Sequence, residues 1–299
     1  MPLDLPPYVF ALTAAFLFAL GGQLQSIGMA HINSRNGTAI GIATSAACFW
    51  LAAPWYLDVS HFGHWAALLF VGMGLIRPAV SANLGVAGIR YLGPTLGMTL
   101  SSISPFFGIA LGVLWLGEDL TWAVVLGTAG IVAAVVMLSR KGAAVAGGWP
   151  VWALALPIGA AAIRATGHTV NKFGMIHIPD PYFATLMGFT TSAVVTVALQ
   201  SIRKEGGTAS DDGAEGLSLR GPGARWFMIG GIMFCVAVLS LNTALMTGEV
   251  VTVVPIVASS PMFALLLSVF VFRRETITLR TLLALALILP SVIAVALWG

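Results

Sequence analysis

Two arginines stand within long apolar runs, where a charge is costly to keep. Arg77 follows the run 65–76 and precedes Pro78, and Arg164 follows the run 153–163. An arginine at the centre of a bilayer-spanning helix costs roughly 3 kcal/mol or more unless something compensates it. No carboxylate lies mid-run. Asp4, Asp58, Glu118, Asp119, Asp180, Glu249, Glu275 and the four acids of 202–225 all fall at the ends of apolar stretches or between them. Cations without a buried acid suit a carboxylate-bearing or otherwise anionic solute. The competing reading is that each guanidinium bonds backbone carbonyls, reaches a helix-end acid, or snorkels to the interface. The missing acid also argues against a pump for lipophilic cations, which would use a buried carboxylate for both drug and proton.

Neutral polar groups extend this set. Arg164 shares a helical face with His168 and Asn171, at i, i+4 and i+7. His168 could carry a proton, since an unperturbed imidazole titrates near about 6.5, or could simply bond between helices. Asn83 and Asn242 could hold a solute's amine or carboxylate, or could glue helices together. They are preferred over Gln23 and Gln25 because each precedes a proline-interrupted stretch in its own half of the chain.

Those stretches carry Pro94 and Pro105 in one half and Pro255 and Pro261 in the other. Thr95, Thr99 and Ser102 form a stripe on the first, and Thr252 and Ser259 do so on the second. A proline lacks a backbone donor and so frees a carbonyl. In lipid that is tolerable only where a cavity or a neighbouring helix satisfies the carbonyl. Duplicated interruptions point to a solute path; plain bending, with hydroxyls bonded to their own helix, is the alternative. The candidate binding residues are therefore Arg77, Asn83, Thr99, Ser102, Arg164, His168, Asn171, Asn242 and Ser259. The candidate kinks or gates are Pro78, Pro94, Pro105, Pro255 and Pro261.

The elements that position them follow from composition. The chain has 299 residues, 58% hydrophobic and only 8% charged; soluble domains carry about 25% charged residues. Lipid must therefore be the main solvent. About 20 apolar residues cross a hydrocarbon core of about 30 Å. Ten stretches qualify: 8–30, 37–57, 65–89, 93–115, 121–138, 151–171, 181–201, 226–247, 250–272 and 278–298. The start, Met1–Pro7, lacks a basic segment, and the apolar run from Tyr8 is too long for a signal-peptide core. It stays as the first helix. Residues 202–225, rich in Gly, Ser and Asp, read as an aqueous loop whose Asp211-Asp212 pair is only solvated. Cys48 and Cys235 lie in apolar runs without histidine neighbours and read as packed or lipid-facing thiols.

Eleven of the 14 Lys and Arg residues fall in alternate connections: Arg35, Arg90, Arg140, Lys141, Arg203, Lys204, Arg220, Arg225, Arg273, Arg274 and Arg280. The positive-inside rule places those connections in the cytoplasm and both termini outside.

The halves repeat. Gly28-Met29-Ala30-His31-Ile32 returns as Gly174-Met175-Ile176-His177-Ile178, and Ala43-Thr44-Ser45-Ala46 as Thr190-Thr191-Ser192-Ala193. Ser104-Pro105-Phe106-Phe107 returns as Ser260-Pro261-Met262-Phe263. Five crossings per copy make the second copy inverted, the architecture in which two bundles rock about a midplane site. The expected fold is all-α and polytopic, with ten transmembrane helices in two inverted repeats over 1–140 and 141–299.

The Ser-Pro-x-Phe stretches, each followed by an apolar run and an acidic turn (Gly117-Glu118 and Arg274-Glu275), carry a resemblance. The chain resembles the EamA-type drug/metabolite transporters, and within them the bacterial aromatic amino-acid exporters of the YddG type. The resemblance implies a secondary transporter of the inner membrane, exporting amino acids or related metabolites by alternating access. Its partners would be the solute and the bilayer, without nucleic acid, in a monomer. A multidrug or other metabolite efflux carrier of the same fold is the alternative. No HExxH helix, GxSxG elbow or Walker loop is present, so the sequence offers no enzyme motif, cofactor or metal site. No filter loop or ring of charge suggests a channel.

Overall fold

The computed structural model describes residues 5–76, 80–139, 150–205, 221–273 and 278–299; within its helices the side chains of residues 34, 35, 82, 83, 86, 89, 93–95, 98, 99, 139, 199–205 and 280 are outside the description. Among the described residues the chain is all helical. Its α-helices are α1 (Pro7–Gly28), α2 (Ser34–Tyr56), α3 (Ala67–Ile76), α4 (Ala82–Ser101), α5 (Ser104–Leu111), α6 (Trp122–Ser139), α7 (Ala155–His177), α8 (Pro181–Glu205), α9 (Pro222–Thr247), α10 (Val250–Val257), α11 (Ser260–Leu266) and α12 (Leu279–Trp298). Among the described residues six helical segments are long and apolar enough to cross a membrane: Pro7–Gly28, Asn36–Tyr56, Pro181–Ala198, Pro222–Thr247, Val250–Val271 and Thr281–Trp298. Shorter apolar helices run over Ala67–Ile76, Ser104–Leu116 and Trp122–Leu138.

Most expected stretches reappear with shifted ends. One expectation fails: α4 runs unbroken through residues 90–92, the expected connection between the third and fourth crossings. Apolar runs on both sides of that segment hide a boundary in either position, and helical backbone bonding needs no polar linker there. Of the 202–225 loop, residues 202–205 belong to α8 and 222–225 to α9, whose first turn holds Pro222, a residue pre-set for that position. Residues 206–220 lie outside the described residues.

The packing exchanges partners between the halves. α4 and α5 pack on α7, and α10 and α11 pack on α1. α3 meets α7 and α8, as α9 meets α1 and α2, while α6 pairs with α12. Small residues permit the closest approaches: a Cβ on Gly231 of α9 would lie 2.5 Å from the Gly41 carbonyl of α2. The main core joins Ala11 and Ala14 of α1, Phe70 of α3, Met175 of α7, Leu241 and Leu245 of α9 and Val253 of α10.

The copies also share an unusual ending. α5 runs into a π turn, Gly112–Leu116, and α11 into another, Leu267–Val271. Each is followed by left-handed backbone, at Gly117 (φ 70°) and Arg273 (φ 50°).

Candidate functional site

The two helix breaks are the natural place to build from. Between α4 and α5 the chain turns at Ser102–Ile103, and Pro105 opens the next helix. Proline at 105 leaves the Ser101 carbonyl without its i+4 donor. Arg164 of α7 supplies one instead: its Nη2 donates to Ser101 O at 3.1 Å. Beside it, Ser104 Oγ donates to Ala161 O of α7 at 3.0 Å. The first break is thus docked on the opening helix of the second half. α7 extends to His177, beyond the expected end at 171, so Arg164 sits near its middle rather than toward the interface.

The second break is docked on the opening helix of the first half. Between α10 and α11 the chain turns at Ala258–Ser259, ahead of Pro261. Gln23 of α1 donates from Nε2 to Ala264 O at 3.0 Å. A cavity of about 390 Å³ opens there, lined by Phe18, Gly22, Gln23, Ser26, Ser260 and Pro261. Ser259 itself is fully buried and donates to Ile256 O of its own helix at 2.6 Å. The helices flanking the two breaks also meet, for Gly108 of α5 lies against Val254 of α10.

Asn171 and Asn242 come together away from the breaks. Asn171 Nδ2 donates to Asn242 Oδ1 at 3.3 Å, and Asn242 Nδ2 donates to Thr185 Oγ1 at 2.8 Å. Both amides are buried, so this chain ties α7, α9 and α8. His168 and Ser102 are partly buried on α7 and at the first break. Asn83, Pro94 and Thr99 lie on α4 with side chains outside the described residues, and Arg77 and Pro78 lie outside them altogether. Pro255 is buried within α10.

Charge gathers at one end of the bundle. Glu118 accepts from Val250 N at 2.8 Å and Val251 N at 2.9 Å, capping α10, and stands 3.4 Å from Lys172 Nζ. Lys172 also donates to Gly248 O. This ties the turn after the first π segment to the opening of α10, favoured because a helix N-terminus attracts negative charge. Next to it, partial desolvation and then the Glu118 carboxylate raise Glu249 above its ordinary value. At the same end His61 Nδ1 lies 3.3 Å from Asp180 Oδ2, and Trp65, Phe173 and His177 form an aromatic cluster. Asp58 is held below its usual range by hydrogen bonds from Ser60.

Sequence reasoning ranked Gln23 below the asparagines, quoted Ser104 and Glu118 only as motif residues, and passed over Ser26 and Thr185. The Ser-Pro dipeptides at both breaks were the signal for Ser104 and Ser260. Nothing in the sequence marked the partners of Gln23 and Glu118, which are backbone groups more than 100 residues away in the chain.

No curated protein sequence matches the chain. One solved crystal structure has the same fold, with a TM-score of 0.76 and 17% sequence identity over 98% of this chain and 96% of that one. The profile of the EamA-like transporter family matches twice, over residues 5–140 and 151–297. The chain therefore belongs to the EamA-like transporter family, membrane transporters of the drug/metabolite superfamily.

Proposed function

We propose that the chain is a secondary carrier exporting amino acids, aromatic ones among them, by alternating access around a cavity between two inverted five-helix repeats. The observation that supports this most is the duplicated helix break, each copy docked on the first helix of the other half. Such an arrangement would let the halves tilt about the breaks while Arg164 keeps a donor on the carbonyl that Pro105 frees. Ten crossings, supported by the ten apolar stretches, non-cytoplasmic termini, supported by the Lys/Arg asymmetry, and an inner-membrane location, implied by the resemblance, belong to the same proposal.

Arg164 is the side chain we assign to the solute's carboxylate. A guanidinium has five N–H donors, and the Ser101 carbonyl takes one of them. Arg77 is assigned the same role from the sequence alone. Asn83, Thr99, Ser102, His168 and Ser259 complete the candidate lining, with Asn171 and Asn242 holding the helices that carry it.

Uptake of labelled amino acids into proteoliposomes holding the purified protein tests the proposal. Saturable uptake, with Arg77→Gln raising the half-saturation concentration of a carboxylate-bearing solute, is expected. Uptake that rises linearly with concentration at channel-like rates would contradict it.

A further inference from the structure

The chain has two cysteines, and the fold brings them to one seam. Cys48 lies on α2 and Cys235 on α9, both free thiols. Their register is fixed by a contact one turn earlier. Ser45 Oγ donates to Gly231 O at 2.7 Å, where a Cβ on Gly231 would lie 2.5 Å from Gly41 O. Cys48 follows Ser45 by three residues and Cys235 follows Gly231 by four, so each is one helical turn further along the same face. Both pack in one cluster with Phe49 and Leu186. Cys235 is buried while Cys48 is only partly so, leaving an approach along the seam. The surroundings are apolar, so the occupant must be soft and apolar rather than a hydrated cation.

We infer that Cys48 and Cys235 form a dithiol site between α2 and α9 that captures a trivalent organoarsenical or a similar thiophile. The step balances without a redox partner. Two thiols condense with one aryl arsenoxide, forming two As–S bonds and releasing one water, while arsenic stays trivalent. Neither cysteine alone holds the group against a competing monothiol, because only the pair closes the ring. In the unfolded chain the thiols are separated by more than one repeat, so the ligand favours the folded state and raises its melting temperature.

Titration of the purified protein with phenylarsine oxide tests this. In the wild type, intact mass is expected to rise by one arsenical less one water and to survive excess monothiol. A small dithiol reverses it, and the melting temperature rises with arsenical concentration. Cys48→Ala and Cys235→Ala, each checked by size-exclusion chromatography, are expected to show neither the monothiol-resistant adduct nor the thermal shift. Absence of the adduct in the wild type would overturn the inference. So would a resistant adduct in either single variant. Should a variant not fold, prior alkylation of wild-type Cys48 by a maleimide replaces it, and an unchanged adduct then refutes the site.

Discussion

Arg164 Nη2 donates to the carbonyl oxygen of Ser101 at 3.1 Å, the carbonyl that Pro105 leaves without a helical donor. A residue that looks like an isolated buried cation in the sequence is therefore the clasp of a broken helix. Its charge-assisted bond is worth about 1.5–3 kcal/mol. Arg164→Ala should lower stability by that order, read by thermal unfolding in detergent. In transport it should raise the half-saturation concentration of an amino acid more than that of its decarboxylated amine. An equal rise for both would remove Arg164 from the carboxylate site and leave it a clasp.

The buried amides make a second test. Asn242 both accepts from Asn171 and donates to Thr185, so Asn242→Ala strands the Asn171 amide on α7 and leaves Thr185 only its bond to Pro181 O. Each such loss costs about 1–3 kcal/mol. Asn171→Ala and Asn242→Ala should each destabilise, and the double variant should lose less than the sum, since the groups share a bond. Strict additivity would show that the 3.3 Å contact contributes nothing.

Glu249 sets a pH dependence. Burial and the Glu118 carboxylate raise its pKa in the fold, with Lys172 opposing them. A raised carboxyl binds its proton more tightly folded than unfolded. Its effect on stability is therefore most favourable below the unfolded pKa and is lost as pH rises through the folded value. Glu249→Gln should flatten the fall in melting temperature between acid and neutral pH. Because Glu249 is exposed, the change is small. A steeper fall in the variant would reverse the sign of the account.

The paired turns give opposite substitutions. Gly117 adopts φ 70° without steric cost, whereas Arg273 adopts φ 50° with one. A side chain in left-handed backbone costs roughly 1–2 kcal/mol. Gly117→Ala should destabilise and Arg273→Gly should stabilise, each by about 1 kcal/mol. The same sign for both in thermal unfolding would contradict the shared geometry.

Much of the fold was legible in the sequence because apolar length and the Ser-Pro repeats are local signals. The breaks at Pro105 and Pro261 were found this way, while the exchange of packing partners between the halves was not, because contacts between distant helices leave no local signal. The ends of α3 and α4 were not, because uninterrupted apolar residues give no periodicity that marks a boundary. The site was less legible. Arg164, Asn171 and His168 share a face in the sequence, yet the fold sends Arg164 to Ser101 and Asn171 to Asn242. Side chains on one face of a central helix meet different neighbours at different depths. Glu118 was only an acidic turn until α10 arrived with two unpaired backbone donors. Such partners are set by tertiary packing, which spacing along the chain does not encode.

Counterflow tests the central claim most directly. Proteoliposomes loaded with unlabelled aromatic amino acid are diluted into a trace of the labelled form. A carrier whose site faces each side in turn should accumulate label transiently above equilibrium, and the overshoot should vanish when the internal solute is omitted. Label that only equilibrates, at a rate indifferent to internal solute, would contradict alternating access around the paired breaks.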